Sequence, residues 1–196
     1  MTMSTFISGE ALAPVLAALN RLSRRDFLRF AGVATAVPLV GLGNARAALP
    51  PGVQFLSSDE ADVFTRLAEV VLPVAGTTLA PWTRDGLLQT LDAALLAGME
   101  PHILAGLKGG VAYFNDGPVA RFGKRFTALG DAEATQFVDA WGDAKEVPQR
   151  GLTMGLKKLV QLSYWANPAS WAPLGYDGPV SARMGLPRLG NAPLPQ

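Results

Sequence analysis

The sequence predicts an all-α fold: a single domain of about five or six helices in a bundle-like or orthogonal array, followed by an irregular C-terminal tail. Apolar residues return at spacings of three and four in successive stretches between residues 59 and 165, which is the signature of helices burying one face. No stretch alternates apolar and polar side chains convincingly with the period of two that a half-buried strand requires. Capping signals and prolines also fall at the ends of the periodic stretches, where helices start and stop.

The first helix is expected over residues 59–72. Ser57 followed three residues on by Glu60 fits a capping box, and Asp59 and Glu60 suit the positive end of the helix dipole. Val63, Phe64, Leu67, Val70 and Val71 mark its buried face, and Pro73 closes it. A second helix begins at Pro81 and Trp82. Leu87, Leu88, Leu91, Ala94 and Leu95 fall on its apolar side, with Arg84, Asp85, Gln89 and Asp92 on the other. A third runs from Pro101 to about Phe114, through Gly106, Gly109 and Gly110, each costing up to about 1 kcal/mol against alanine. Such glycines mark close helix contact or a kink. Residues 119–129 are expected to form a short helix, and Asp131 to cap a helix over 132–144 whose apolar stripe is Phe137, Ala140 and Trp141. Pro148 starts the last long helix, which reaches Trp165 with Leu152, Leu156, Leu159, Val160 and Tyr164 inside.

From about residue 166 the chain differs in kind. Large aromatics stand between turn residues as far as Pro179, and residues 181–196 are rich in Pro, Gly and Leu without periodicity. A segment of that composition cannot make its own core. It is expected to lie across the domain or across another protein.

The N-terminal 47 residues read as an export leader. Residues 23–30 are SRRDFLRF: Ser23, the paired Arg24 and Arg25, then the apolar Phe27 and Leu28, which is the pattern of a twin-arginine signal. The weakly hydrophobic AGVATAVPLVGL at residues 31–42 is well short of the roughly 20 apolar residues that span a bilayer. Ala45 and Ala47 flank Arg46 in a small-x-small cleavage signature, which places the start of the mature chain at Ala48 and the domain at residues 48–196. Residues 1–22 form a long n-region with an apolar run at 11–22, and residues 48–55 form a linker bearing Pro and Gly. The twin-arginine route carries proteins already folded, often with a partner or a cofactor aboard. The expected location is therefore the periplasm, with any membrane association arising through partner subunits.

Removing residues 1–47 takes away five arginines and two acidic residues, leaving 149 residues with 12 basic against 14 acidic side chains. The basic balance of the whole chain resides in the leader, and the domain offers no Lys/Arg stripe for nucleic acid. Its longest basic cluster, RFGKR at residues 121–125, reads as a solvated helix face. The absence of cysteine excludes disulfides, thiolate metal sites and covalent c-type haem attachment.

Catalytic motifs are not evident. GLGNAR at residues 41–46 lacks the third glycine and the preceding strand of a dinucleotide loop and falls in the leader. His102, the only histidine, sits at a helix start and reads as an exposed or capping residue. Asp139 and Asp143 stand one helical turn apart, a spacing that suits a carboxylate pair but also an ordinary solvated face. Met154 and Met184 read as core or loop filling, and Arg150, Lys157 and Lys158 as solvated. No catalytic, cofactor or metal residue is assigned.

Two pieces of the chain carry a family resemblance. SYWANPASWAPLGYDGP at residues 163–179, following the last helix, and AEVVLP at residues 68–73 resemble the gluconate 2-dehydrogenase subunit 3 family, the small subunit of flavin-dependent dehydrogenases of sugars and sugar acids. The resemblance implies an FAD-dependent catalytic partner of the glucose-methanol-choline type, a c-type cytochrome as electron acceptor, and a small subunit that carries the twin-arginine leader on the flavoprotein's behalf. This chain departs from the pattern in having no cysteine and in the length of its n-region. On this reading it holds no cofactor itself, FAD residing in the partner, and its own partners are that flavoprotein, the twin-arginine translocase and the cytochrome.

Tyr164, Trp165, Trp171, Gly175 and Tyr176 are the candidates for contacting the partner. The aromatics equally suit a cap on this domain's own core, with Trp165 inside and Trp171 and Tyr176 at a surface. Two other functions stay open: a free-standing periplasmic binding or assembly protein, and an oxidoreductase holding a flavin or quinone noncovalently.

Overall fold

The computed structural model describes residues 48–185, together with the isolated positions 14 and 17. The twin arginines, the cleavage signature at Ala45 and Ala47, the 41–46 loop and residues 186–196 lie outside the described residues. Within them the chain is helical, with no strand. Helix α1 spans Ser58–Val71, and α2 spans Arg84–Thr90 and continues as a wider π-helical turn over Leu91–Leu96. Then come α3 (Pro101–Asp116), α4 (Val119–Phe122), a 3₁₀ turn (Phe126–Ala128), α5 (Asp131–Gly142) and α6 (Val147–Trp165). Two further 3₁₀ turns, Pro168–Ser170 and Ala172–Leu174, lead to the short α7 (Val180–Arg183).

Helix α6 is the centre of the array, with buried side chains along its length from Leu152 to Tyr164. Leu152, Leu156, Leu159 and Val160 are fully buried, and α6 packs against α1, α2 with its π turn, α3 and α5. Each such side chain taken from water contributes about 1.5–3 kcal/mol. Helix α1 lies across α6 through Val63, Phe64, Leu67 and Ala68, and its capping box is formed: Ser57 Oγ accepts from the Glu60 N–H and Glu60 Oε2 from the Ser57 N–H.

An aromatic knot joins α3 to α5. Phe114 meets Phe126, Phe137 and Trp141 edge-on, at centroid separations of 4.9, 5.1 and 5.6 Å. The end of α3 passes so close to this knot that a Cβ on Gly117 would lie 2.6 Å from Cη2 of Trp141 and 3.0 Å from Cζ of Phe137. Only glycine fits there.

Several boundaries differ from the sequence expectation, each for a local reason. Helix α2 starts at Arg84 rather than at Pro81, because the Thr83 hydroxyl accepts the Gly86 N–H and caps it. Residues 119–129 are not one helix: Gly123 takes a left-handed φ of 69° and stops α4 after one turn. Asp131 does not cap α5. Its carboxylate accepts from Arg66 Nη2 at 2.8 Å, and the cap position falls to Gly130, whose N–H is taken by Glu133 at 3.1 Å. That bond holds the Glu133 carboxyl below the usual range, with Lys124 assisting. The stripe of α5 is Ala134, Phe137, Val138 and half-buried Trp141, while Ala140 faces solvent. Helix α3 runs unbroken through Gly106, Gly109 and Gly110, and Gly110 is buried.

Candidate functional site

The C-terminal end of α6 and the segment after it bring the sequence-predicted aromatic residues together in two layers. Tyr164 continues the buried stripe of α6 one turn beyond Val160, and its hydroxyl donates to the Ala80 carbonyl at 2.9 Å. It is 4 % exposed, so it presents no face to a partner. Trp165 packs edge-on against it at 4.8 Å and is half-buried on the core. The chain then folds back through turns whose polar groups are satisfied internally: Asn167 Oδ1 accepts from the Ala169 N–H, and the Ser170 hydroxyl donates to the Asn167 carbonyl. Trp171 donates its indole N–H to the Trp165 carbonyl at 2.8 Å and is half-buried. Tyr176 lies edge-on against Trp171 at 5.3 Å and is exposed.

Glycine holds this outer layer in place. Gly175 ends the second 3₁₀ turn at a φ of 65°. Gly178 has a φ of 98°, and a Cβ there would stand 3.3 Å from Cζ3 of Trp171. The same segment exposes Leu174 and Val180, each at 57 %, and Met184 at 68 %, together with an ion pair between Arg183 and Asp177 at 3.2 Å. Leu174 and Val180 went unseen in the sequence, since a segment without periodicity gives no sign of which apolar residues face out. Met184 and Met154 are exposed rather than core filling.

Burial pushes the Tyr164 hydroxyl above the ordinary tyrosine value near 10. At alkaline pH the folded state therefore keeps a proton that the unfolded chain has lost. The stability this provides is complete below about pH 10 and declines as pH rises through the raised value. Tyr164→Phe is expected to remove that alkaline decline and to lower stability at neutral pH by about 0.5–1.5 kcal/mol, the net worth of one hydrogen bond. Urea unfolding midpoints for both proteins between about pH 8 and 11 check this.

A second constellation lies on α2, where the sequence places Asp92 in solvent. The structure corrects this: Asp92 is 1 % exposed. It sits in the π turn, four residues beyond Leu88, and shares that leucine's side of the helix. Its Oδ1 accepts the N–H of Gln54 at 2.9 Å, and its Oδ2 those of Phe55 and Leu56 at 2.8 and 3.0 Å. Two further bonds reach the same segment, from Arg84 Nη1 to the Ala48 carbonyl and from Gln89 Nε2 to the Pro51 carbonyl. The expected linker over 48–55 is thus fastened to α2.

The remaining candidates are scattered. His102 is exposed, with Nδ1 3.4 Å from Glu100 Oε2. Asp139 and Asp143 are both exposed, Asp143 lying just past the end of α5. In the 121–125 cluster Arg125 pairs with Asp116 at 2.9 Å, Lys124 with Glu133 at 3.5 Å, and Arg121 lies over the Phe122 ring. Arg150 is exposed and donates to the Ala144 carbonyl, while Lys157 and Lys158 are half-buried rather than fully solvated. Among the described residues no group of three or more His, Asp or Glu side chains is placed to hold a metal ion. A cleft between residues 80–90 and the end of α6, lined by Thr83, Tyr164, Asn167 and Ser170 among others, measures about 30 Å³. Small-molecule sites occupy about 300–1,000 Å³, so this cleft has no room for a flavin or a sugar.

The TAT (twin-arginine translocation) pathway signal sequence family matches residues 21–41. Comparison with curated proteins and with solved structures gave no match. The chain carries a twin-arginine signal and is exported across the cytoplasmic membrane by that route. No helix among the described residues is long and apolar enough to cross a membrane.

Proposed function

We propose that this chain is the non-catalytic small subunit and export escort of a periplasmic FAD-dependent dehydrogenase of the glucose-methanol-choline type, akin to the gluconate 2-dehydrogenase subunit 3 family. It binds the folded, flavin-loaded catalytic subunit in the cytoplasm, takes it through the twin-arginine translocase and stays bound to it, alongside a c-type cytochrome that accepts the electrons. The observation that carries this reading is a signal for export of folded cargo on a helical domain whose residues 166–185 fold back on the end of α6 and yet turn apolar side chains outward.

Trp171 and Tyr176 support the contact role, Trp171 with its indole N–H already satisfied and Tyr176 exposed beside it. Large aromatic side chains held rigid bury much area at small entropic cost, which is what an interface anchor needs. Leu174, Val180 and Met184 extend that surface. Tyr164 and Trp165 act beneath it, fixing where the outer layer stands.

Affinity capture of the tagged chain from the periplasm of its source is expected to bring down a flavoprotein with flavin absorbance. Tyr176→Ala is expected to weaken that complex about thirtyfold, the effect of an anchor worth about 2 kcal/mol. A colourless chain emerging alone from both compartments would sink the reading.

A further inference from the structure

Residues 48–56 follow directly on the leader, and one element holds them at three places. Arg84 takes the carbonyl of Ala48 at 3.1 Å, Gln89 that of Pro51 at 2.9 Å, and Asp92 collects three successive N–H groups from Gln54 to Leu56. Pro50 and Leu56 are buried, so the strap is seated by side chains as well as by backbone. Arg84 is itself steadied by carboxylates, with Asp62 and Asp85 each 3.7 Å away. Beyond Leu56 the chain enters α1 at once. No slack is left between Ala48 and the folded body.

We propose that this strap is a latch on leader removal. In that step water adds its hydroxyl to the carbonyl carbon of residue 47 and its proton to the nitrogen of Ala48, and the peptide bond between them breaks. A peptidase binds its substrate as an extended strand, pairing with backbone groups on both sides of the bond it cuts. Arg84 occupies the Ala48 carbonyl on the departing side, and the body of the domain follows within a few residues. Cleavage therefore proceeds from the state in which the strap has left α2, at a rate scaled by the population of that state. A folded chain keeps its leader longer than an unfolded one, which suits a route whose cargo is folded. The latch rests on leader removal between residues 47 and 48.

The test follows the full precursor with a leader peptidase in detergent, using intact mass to locate and time the cut. Inserting Gly-Ser-Gly-Ser between Ala48 and Leu49 leaves the Asp92 bonds closed but frees the scissile bond, and is expected to speed cleavage by about tenfold or more. Asp92→Asn is expected to speed it by opening the strap. Wild-type rates in both variants would overturn the latch. Acceleration by Asp92→Asn alone, with the insertion at the wild-type rate, would tie cleavage to general loss of fold and overturn it as well. A precursor left uncut at 47–48 even when unfolded in urea would remove the cleavage position, and the latch with it, leaving the escort reading untouched.

Discussion

Replacing Arg24 and Arg25 together by lysine is expected to abolish export of this chain and, under the escort reading, to leave its flavoprotein partner in the cytoplasm with it. Lysine keeps the charge but loses the planar fork of donors, so the substitution separates recognition of a guanidinium pair from attraction to any cation. Each charge-assisted hydrogen bond lost costs about 1.5–3 kcal/mol, and two arginines stand side by side in the residues matched by the signal family. Export should then fall by well over about tenfold. Cell fractionation with immunoblotting follows this chain, and flavin-dependent dye reduction in the periplasm follows the partner. The two readouts answer different questions. Loss of this chain from the periplasm while the flavoprotein still arrives would leave the twin-arginine signal intact as a finding and eliminate the escort role.

The helices were legible because their burial repeats: Leu152, Leu156, Leu159, Val160 and Tyr164 follow one stripe, and all are buried. The spacing of that stripe is enough to assign Tyr164 to the core. Tyr176 carries no such mark, since nothing around it is periodic, and its exposure depends on how Trp171 and two left-handed glycines turn the chain. Asp92 was misplaced for a different reason. At 100° per residue it falls on the border of the two faces, about 20° from Asp85 and about 40° from Leu88, and its charge alone assigns it to the polar side. Its partners are backbone N–H groups 36–38 residues away, and backbone donors leave no trace in residue type. Asp131 shows the same blindness, because Arg66 from a distant helix claims the side chain that local sequence assigns to a cap.

Asp92→Asn is expected to be among the most destabilising single-atom changes in the domain. The carboxylate presents two acceptors to three donors, and Oδ2 alone receives Phe55 and Leu56. An amide of the same shape keeps one oxygen and sets an NH₂ group against N–H groups in a site that is 1 % exposed. Losing a charge-assisted bond and stranding a buried donor together cost about 3–5 kcal/mol, a large part of the about 5–15 kcal/mol that holds a domain folded. Opening of the strap limits that cost, because Gln54 already lies at the surface and its N–H can turn to water. Two measurements therefore belong together: the urea midpoint at unchanged m-value, and amide exchange at residues 54–56. A midpoint shift worth less than about 1 kcal/mol with unprotected amides at 54–56 would mean that the strap opens and spares the core. The same small shift with those amides still protected would mean that the carboxylate does not hold the strap, and the packing of Pro50 and Leu56 would have to hold it instead.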